Sequence, residues 1–78
     1  MYYVYALKSS TRNYIYVEMT NDIERRVVEH NKGENKSTKA YKSFILIHEE
    51  YFLTGIEARK REKYLKSGTG KEFLKSLR

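Results

Sequence analysis

The sequence predicts an α+β fold with the element order β-β-α-β-α-α. Two observations point to this class: short aromatic and β-branched runs are typical of strands, and capped segments with apolar residues at helical spacing are typical of helices. The length of 78 residues suits one domain with a small core. We therefore expect a single domain over residues 1–78, with helices packed on a three-stranded sheet.

Two strands are predicted at the start of the chain. Residues Tyr2 to Leu7 are mostly aromatic, aliphatic or β-branched, and a polar break follows at 8–13. Tyr14 to Val17 is a second run of the same kind. The break holds no Asn-Gly or Asp-Gly pair, so we expect a loop of several residues rather than a tight two-residue turn.

The first helix is predicted to begin at Thr20-Asn21-Asp22. Asn21 is expected to cap it, with the carboxylate of Glu24 reaching back three positions. Gly33 is a natural stop because glycine readily takes the left-handed conformation that ends helices. One face of this helix carries residues at helical spacing: Ile23, Val27 and His30.

A loop and a third strand are predicted next. Residues 33–43 are rich in Gly, Lys, Ser, Thr and Asn and are expected to form an exposed loop. Phe44 to Ile47 is the most apolar run in the chain and favours a central buried strand. Residues His48 to Phe52 are expected to extend it.

Two helices are predicted to end the chain. Thr54 and Glu57 form a capping box for a helix that reaches Lys66. Residues 67–70 hold two glycines and interrupt it. The third helix is expected from Lys71 to Arg78, with an apolar face made by Phe73, Leu74 and Leu77.

Composition excludes several classes of protein. The chain has no cysteine, which excludes disulfides and thiolate metal sites. It has no apolar run near 18 residues and no basic leader at its start, so we expect a cytoplasmic protein without a membrane segment. The net charge is +6, and residues 54–78 carry eight basic side chains against three acidic ones. This balance favours a polyanionic partner, with nucleic acid as the first candidate.

Five polar or aromatic residues are candidates for chemistry. Arg26 and His30 lie four residues apart and are neighbours on one helix. Glu62 lies close to the apolar face of its helix, and Tyr5 and Tyr16 share a sheet face if their strands form a hairpin. Each also has an ordinary explanation: a core aromatic with its hydroxyl at the rim, a solvated arginine, a histidine at a helix end, or a surface ion pair.

Several motifs, in this order and spacing, resemble the GIY-YIG nuclease superfamily, in particular its small stand-alone members. Tyr3-Val4-Tyr5 is similar to the first strand motif and Tyr16-Val17-Glu18 to the second. The stretch 19–31 is similar to the first helix of the family. The loop 36–39 and residues 57–75 also match, so that the resemblance covers nearly the whole chain.

The resemblance implies a fold, an activity and a set of site residues. The fold would be a small three-stranded antiparallel sheet flanked by three helices. The activity would be cleavage of DNA phosphodiesters, in DNA repair or recombination, with one divalent metal, Mg²⁺ or Mn²⁺. The implied catalytic residues are Tyr5, Tyr16, Arg26, His30 and Glu62, with Glu62 as the metal ligand. The residues expected to contact DNA are Arg25, Lys36, Lys39, Arg59, Lys63 and Lys66.

The residue types agree with that chemistry. Arg26 offers a planar donor fork for the non-bridging oxygens of a phosphate. A single carboxylate completed by water and phosphate suits Mg²⁺. A tyrosine acts as a base only if its pKa falls from about 10, a change that Arg26 favours. We expect Tyr5 or Tyr16 to activate water and His30 to assist; the sequence does not separate their roles.

Two positions depart from the family pattern, Tyr3 and Glu18, which stand where the two strand motifs have glycine. Glu18 has three possible consequences: it blocks DNA, it adds a metal ligand, or it points away. If the position needs a positive φ, it also costs about 1 kcal/mol or more. An alternative function is therefore a nucleic-acid-binding module with impaired catalysis; a third is a protein-interaction domain. A domain of this size offers little surface for sequence readout, so a protein partner or a homodimer is expected to supply targeting.

Overall fold

The elements follow the predicted order. The computed structural model describes residues 1–77, and its sheet is antiparallel with the strand order β2-β1-β3. The α+β class with three strands and three helices is confirmed. The elements are β1 (Tyr2–Ser9), β2 (Ile15–Thr20), α1 (Ile23–Lys32), a 3₁₀ turn (Lys39–Tyr41), β3 (Phe44–Phe52), α2 (Gly55–Lys66) and α3 (Gly68–Lys75).

The register between β1 and β2 decides which side chains share a face of the sheet. Tyr5 pairs with Glu18, and Leu7 pairs with Tyr16. Because successive side chains of a strand point to opposite faces, these four residues lie on the same face. The expectation that Tyr5 and Tyr16 share a face is thus confirmed.

Each face of the sheet has its own apolar cluster. On one face, Tyr5 and Leu7 are buried with Phe44 and are covered by Ile23 and Val27 of α1. On the other face, β1 and β2 are covered by α2 and α3. The buried members there are Val4, Ala6, Val17, Ala58, Leu65 and Leu74. The molecule therefore has a helix layer on either side of the sheet.

The prediction that the third strand is central is wrong. β1 lies between its neighbours, and Val4 to Leu7 are fully buried. β3 is an edge strand on which Ile45 remains 58% exposed. A short apolar run indicates a strand but carries no information on strand order, which depends on pairing between distant segments.

The N-cap of the first helix lies one residue later than predicted. Asp22, not Asn21, is the N-cap: its side chain accepts the backbone N–H of Arg25 at 3.1 Å. The backbone N–H of Asp22 in turn donates to the hydroxyl of Thr20 at 3.1 Å. The predicted stop at Gly33 is confirmed by its left-handed φ of 77°.

The capping threonine of the second helix is confirmed, whereas the predicted start of the third helix is wrong. Thr54 accepts the backbone N–H of Glu57 at 3.2 Å and caps α2. α3 begins at Gly68, not Lys71, because the Ser67 hydroxyl accepts the N–H of Gly70 and caps the helix early. It ends at Lys75; Arg78, which the prediction included, lies outside the described residues.

The segment 33–43 is only partly the exposed loop that was expected. It contains the 3₁₀ turn, and Thr38 within it is fully buried. The two first strands also extend further than predicted, to Ser9 and Thr20. Among residues 1–77, every helix is too short or too polar to cross a lipid bilayer.

Candidate active site

Glu18 is the centre of a partly buried cluster on the α1 side of the sheet. The hydroxyl of Tyr5, which is fully buried, donates to Glu18 Oε1. The guanidinium of Arg26 donates twice to the same carboxylate, from Nε to Oε1 at 3.0 Å and from Nη2 to Oε2 at 2.9 Å. This bidentate geometry is the strong form of an arginine–carboxylate contact.

Arg26 has a second carboxylate partner on its own helix. Its Nη1 donates to Glu29 Oε1 at 2.6 Å, across an i, i+3 spacing. Glu29 also pairs with Arg25, whose Nη1 lies 3.2 Å from Oε2. All three nitrogens of the Arg26 guanidinium therefore donate to carboxylates, and the side chain is 19% exposed.

His30 closes the cluster on its inner side and is fully buried. Its Nδ1 lies 2.7 Å from Thr38 Oγ1, and its Nε2 lies 3.5 Å from Arg26 Nη2 and 3.8 Å from Glu18 Oε1. Its ring is tilted against that of Tyr16 with centroids 4.7 Å apart. The structure thus brings together four of the five predicted catalytic residues.

The contacts fix the charges in the cluster. The hydrogen bond to Glu18 raises the pKa of Arg26 above its ordinary value. Burial pushes the pKa of Glu18 upward, but hydrogen bonds from Arg26 and Tyr5 outweigh it and hold that pKa below its ordinary value. Burial, helped by the positive charge of Arg26, lowers the pKa of His30, which favours a neutral imidazole.

The two tyrosines stay protonated. Burial raises the pKa of Tyr5, and so does its hydrogen bond to Glu18. Burial and the charge of Glu18 also raise the pKa of Tyr16. Arg26 acts in the expected direction and lowers both, but it is outweighed. The expected fall of a tyrosine pKa is therefore reversed here, chiefly because both phenols are buried and also because a carboxylate stands where the family motif has glycine.

The backbone at Glu18 is unstrained. Among residues 1–77, no residue other than glycine has a positive φ, so the strain that the position would carry if it required glycine does not arise. Glu18 sits in an ordinary strand pair with Tyr5. Of the three consequences considered for Glu18, one is excluded: the side chain does not point away, because it contacts Tyr5 and Arg26.

Glu62 lies apart from this cluster. It belongs to α2, whose buried residues pack on the opposite face of the sheet. Its Oε2 lies 3.2 Å from Lys66 Nζ, and its side chain is 17% exposed. In the part of the chain that the structure describes, Glu62 makes no hydrogen bond or ion pair with the cluster, and no three acidic or histidine side chains converge on a common point.

The six residues expected to contact DNA divide between the two helix layers. Arg25 is exposed on α1, and Lys36 and Lys39 are exposed after it. On the other layer, Arg59 and Lys63 line an open groove of about 720 Å³ beside β2. The sixth residue, Lys66, is the ion-pair partner of Glu62.

Two residues of the cluster, Glu29 and Thr38, were not predicted from the sequence. Glu29 binds Arg26, and its i, i+3 spacing on a predicted helix was a usable signal. Thr38 binds His30, but it lies in a polar segment whose composition predicts exposure. Its contact joins positions eight residues apart through a loop, so neither helical nor strand periodicity indicates it.

The family assignment follows from sequence and structure comparisons. The model of the GIY-YIG catalytic domain matches residues 1–75. The chain therefore belongs to the GIY-YIG family, a family of nuclease-type domains.

Particular relatives are small proteins of similar length. The chain is 35% identical to a UPF0213 protein of Staphylococcus saprophyticus, over 97% of the chain and 93% of the relative. It is 42% identical to a UPF0213 protein of Haloquadratum walsbyi, over 87% and 76%. The solution NMR structure of a UPF0213 protein from Bacillus halodurans superimposes with a TM-score of 0.58 at 32% identity, over 97% of this chain and 84% of that one. The agreement in fold extends over nearly the whole chain.

Proposed function

We propose that the chain is a metal-dependent DNA endonuclease that hydrolyses a phosphodiester bond in DNA repair or recombination. The observation that carries the proposal is the arginine fork of Arg26, held beside Tyr5 and His30 on one face of the sheet. Two non-bridging phosphate oxygens accept the same pair of parallel N–H bonds that a carboxylate accepts. The fork is therefore suited to hold a phosphate and to stabilise charge that develops on it.

The donor set on α2 fits a hard cation. Glu62 offers one mostly buried carboxylate beside a single lysine, and Mg²⁺ commonly takes one protein carboxylate with water and phosphate in the remaining positions. A Mg²⁺ or Mn²⁺ ion held there would supply positive charge to the DNA backbone from the α2 side, apart from the Arg26 fork. The residues of the cluster bind and orient the phosphate and take up the proton of the attacking water.

Glu18 sets a condition on substrate binding. Its carboxylate fills the Arg26 fork, so a phosphate binds there only after Glu18 has moved or has been neutralised. Two anions that share one guanidinium repel each other at short range. We therefore expect weak binding of short DNA and a strong dependence on the further contacts made by exposed basic residues.

The test is cleavage of supercoiled, linear and branched DNA by the purified chain with Mg²⁺ or Mn²⁺, with EDTA as the metal-free control. We expect nicking that requires metal and is abolished in Glu62→Ala. Glu72→Ala is the matched control, because Glu72 is an exposed α3 glutamate whose partner is also a lysine, Lys75. If neither metal supports cleavage, the proposed endonuclease activity is refuted. If the Glu62→Ala and Glu72→Ala variants cleave DNA equally well, the proposed role of Glu62 is refuted.

A second candidate function is a nucleic-acid-binding module with impaired catalysis. The occupied fork of Arg26 favours it, because Glu18 takes the place a phosphate would need. It predicts salt-sensitive DNA binding without cleavage, and a gain of cleavage in Glu18→Gly. Glu49→Gly is the control, because Glu49 is an exposed strand residue that pairs with Tyr5 from the other side. A Glu18→Gly variant that binds DNA but does not cut it contradicts Glu18 as the cause.

A further inference from the structure

Thr38 is a buried polar residue in a segment that is otherwise mostly polar and exposed. Its side chain has no solvent exposure, and its Oγ1 lies 2.7 Å from Nδ1 of His30. The surrounding turn is held by its own hydrogen bonds: the backbone N–H of Thr38 donates to the Asn35 carbonyl at 3.2 Å, and Asn35 Oδ1 accepts the N–H of Ser37 at 2.9 Å. The hydrogen bonds of this turn therefore hold the Thr38 hydroxyl in contact with His30.

The partners of His30 decide which ring nitrogen carries the proton. Nε2 faces Arg26 Nη2 at 3.5 Å and Glu18 Oε1 at 3.8 Å, and only the arginine is within hydrogen-bond distance. A guanidinium donates hydrogen bonds but cannot accept them. Nε2 therefore presents its lone pair, and the proton of the neutral ring lies on Nδ1. Nδ1–H then donates to Thr38 Oγ1, whose own hydrogen is directed to the Asn35 carbonyl at 3.5 Å.

We infer that Thr38 is a positioning residue that holds His30 as the Nδ1–H tautomer, so that its Nε2 is the proton acceptor of the active site. The inference deepens the proposed function and rests on it for the identity of the reaction. The tautomer itself is a property of the chain without DNA. The tautomer of His30 can therefore be measured, and the inference tested, even if no cleavage is found.

The groups that face His30 support a proton-accepting role. They are Arg26 and Glu29 from its own helix, Glu18 and Tyr16 from β2, Thr38 from the loop and Phe44 from β3. Burial and Arg26 lower the pKa of the imidazole. The ring is therefore neutral near pH 7 and keeps a lone pair on Nε2, which faces Arg26, whereas the nearby phenols keep their protons.

In the proposed reaction step, His30 acts as the base. After Glu18 has left the Arg26 fork, which opens the buried Nε2 to solvent, the oxygen of a water molecule forms a bond to phosphorus. One proton of that water passes to Nε2 of His30. The bond between phosphorus and the leaving oxygen breaks, and its electron pair leaves with that oxygen. The opposite tautomer presents N–H at this position and cannot take the proton.

The first test is ¹⁵N NMR of the histidine ring nitrogens at about pH 7.5, in the wild type, Thr38→Ser and Thr38→Val. We expect the Nδ1–H pattern for His30 in the wild type and in Thr38→Ser. We expect a shift toward Nε2–H in Thr38→Val, because Nδ1–H then has no acceptor whereas Nε2–H can turn to the Glu18 carboxylate 3.8 Å away. His48, which hydrogen-bonds Glu50 on another part of the sheet, is the internal reference. An Nε2–H pattern in the wild type, or an unchanged pattern in Thr38→Val, overturns the inference.

The second test is the cleavage rate as a function of pH. Thr38→Val is expected to lower kcat at least about tenfold with little change in KM, and Thr38→Ser to restore most of it. Thr11→Val, an exposed loop threonine, is the control and is expected to match the wild type. Loss of activity in both Thr38 variants with an unchanged His30 tautomer overturns the inference. If Thr38→Val does not fold, the tautomers of the wild type and Thr38→Ser decide.

Discussion

At the scale of single residues, Glu18 determines the state of the candidate site. Its carboxylate accepts hydrogen bonds from Tyr5 and from the fork of Arg26. Hydrogen bonds to charged groups contribute about 1.5–3 kcal/mol each when partly buried. Glu18 therefore stabilises the fold. Under the proposed function it also occupies the guanidinium that would hold a phosphate, so stability and activity would oppose each other at this position.

The cluster makes stability depend on pH. The folded state lowers the pKa of His30 and of Glu18 from their ordinary values of 6.5 and 4.5, so the unfolded chain binds more protons in acid. The free energy of unfolding is therefore expected to fall as pH drops, first below about 6.5 through His30 and then below about 4.5 through Glu18. Urea unfolding at several pH values measures this, and His30→Gln should remove the first part. Greater stability in acid would contradict it.

At the scale of elements, the junction of α2 and α3 depends on one glycine. A Cβ at Gly70 would lie 2.1 Å from the carbonyl oxygen of Tyr64 and 2.5 Å from Cα of Leu65, both backbone atoms. A Cβ at Gly68, in the same helix, would meet nothing within 4 Å. Gly70 therefore lets the two helix backbones approach, whereas Gly68 has no such role.

Alanine substitution at these two glycines should have opposite effects. Gly70→Ala is expected to lower the free energy of unfolding by about 1–3 kcal/mol, because the backbone must shift to relieve the contact. Gly68→Ala is expected to leave it unchanged or to raise it by up to about 1 kcal/mol, because alanine favours helix. Urea or thermal unfolding of the two variants compares them directly. Equal effects would show that the close approach does not matter.

At the scale of the whole molecule, most of the net charge of +6 lies in residues 54–78, but exposed basic side chains occur on both helix layers. Arg59 and Lys63 border the groove beside β2, whereas Lys36 and Lys39 lie on the other side of the sheet. A duplex that contacts both layers must pass the edge of the sheet. Under the proposed function, binding is therefore electrostatic and extends well beyond the cluster around Glu18.

DNA affinity should depend on salt through the α2 groove. Replacing Arg59 and Lys63 together by Gln is expected to weaken binding of every DNA sequence and to reduce the slope of log K against log salt by about 2, because two phosphate contacts are lost. Replacing Lys71 and Lys75 of α3 removes the same charge and should change the slope less. Fluorescence anisotropy at several KCl concentrations gives both slopes. Equal slopes for the two double variants would contradict contact at the groove.

Local patterns in the sequence determined much of the fold. The strand runs, the caps at Thr54 and Gly33 and the element order agree with the structure, because propensity, capping and periodicity act over a few residues. The helical period also explains why Arg26 adjoins His30, whereas the shared face of Tyr5 and Tyr16 depends in addition on the register between their strands. Their catalytic roles, and that of Glu62, remain predictions.

The tertiary structure decided what depends on contacts between distant segments. Strand order made β1 rather than β3 the central strand, and a loop fold buried Thr38 against His30. The charge state of the site was also decided there. Burial of Tyr5, together with its pairing to the carboxylate of Glu18, raises the pKa of the phenol instead of lowering it. Register, burial and electrostatic neighbours are properties of the assembled chain, since each arises from groups that only folding brings within a few ångströms of each other.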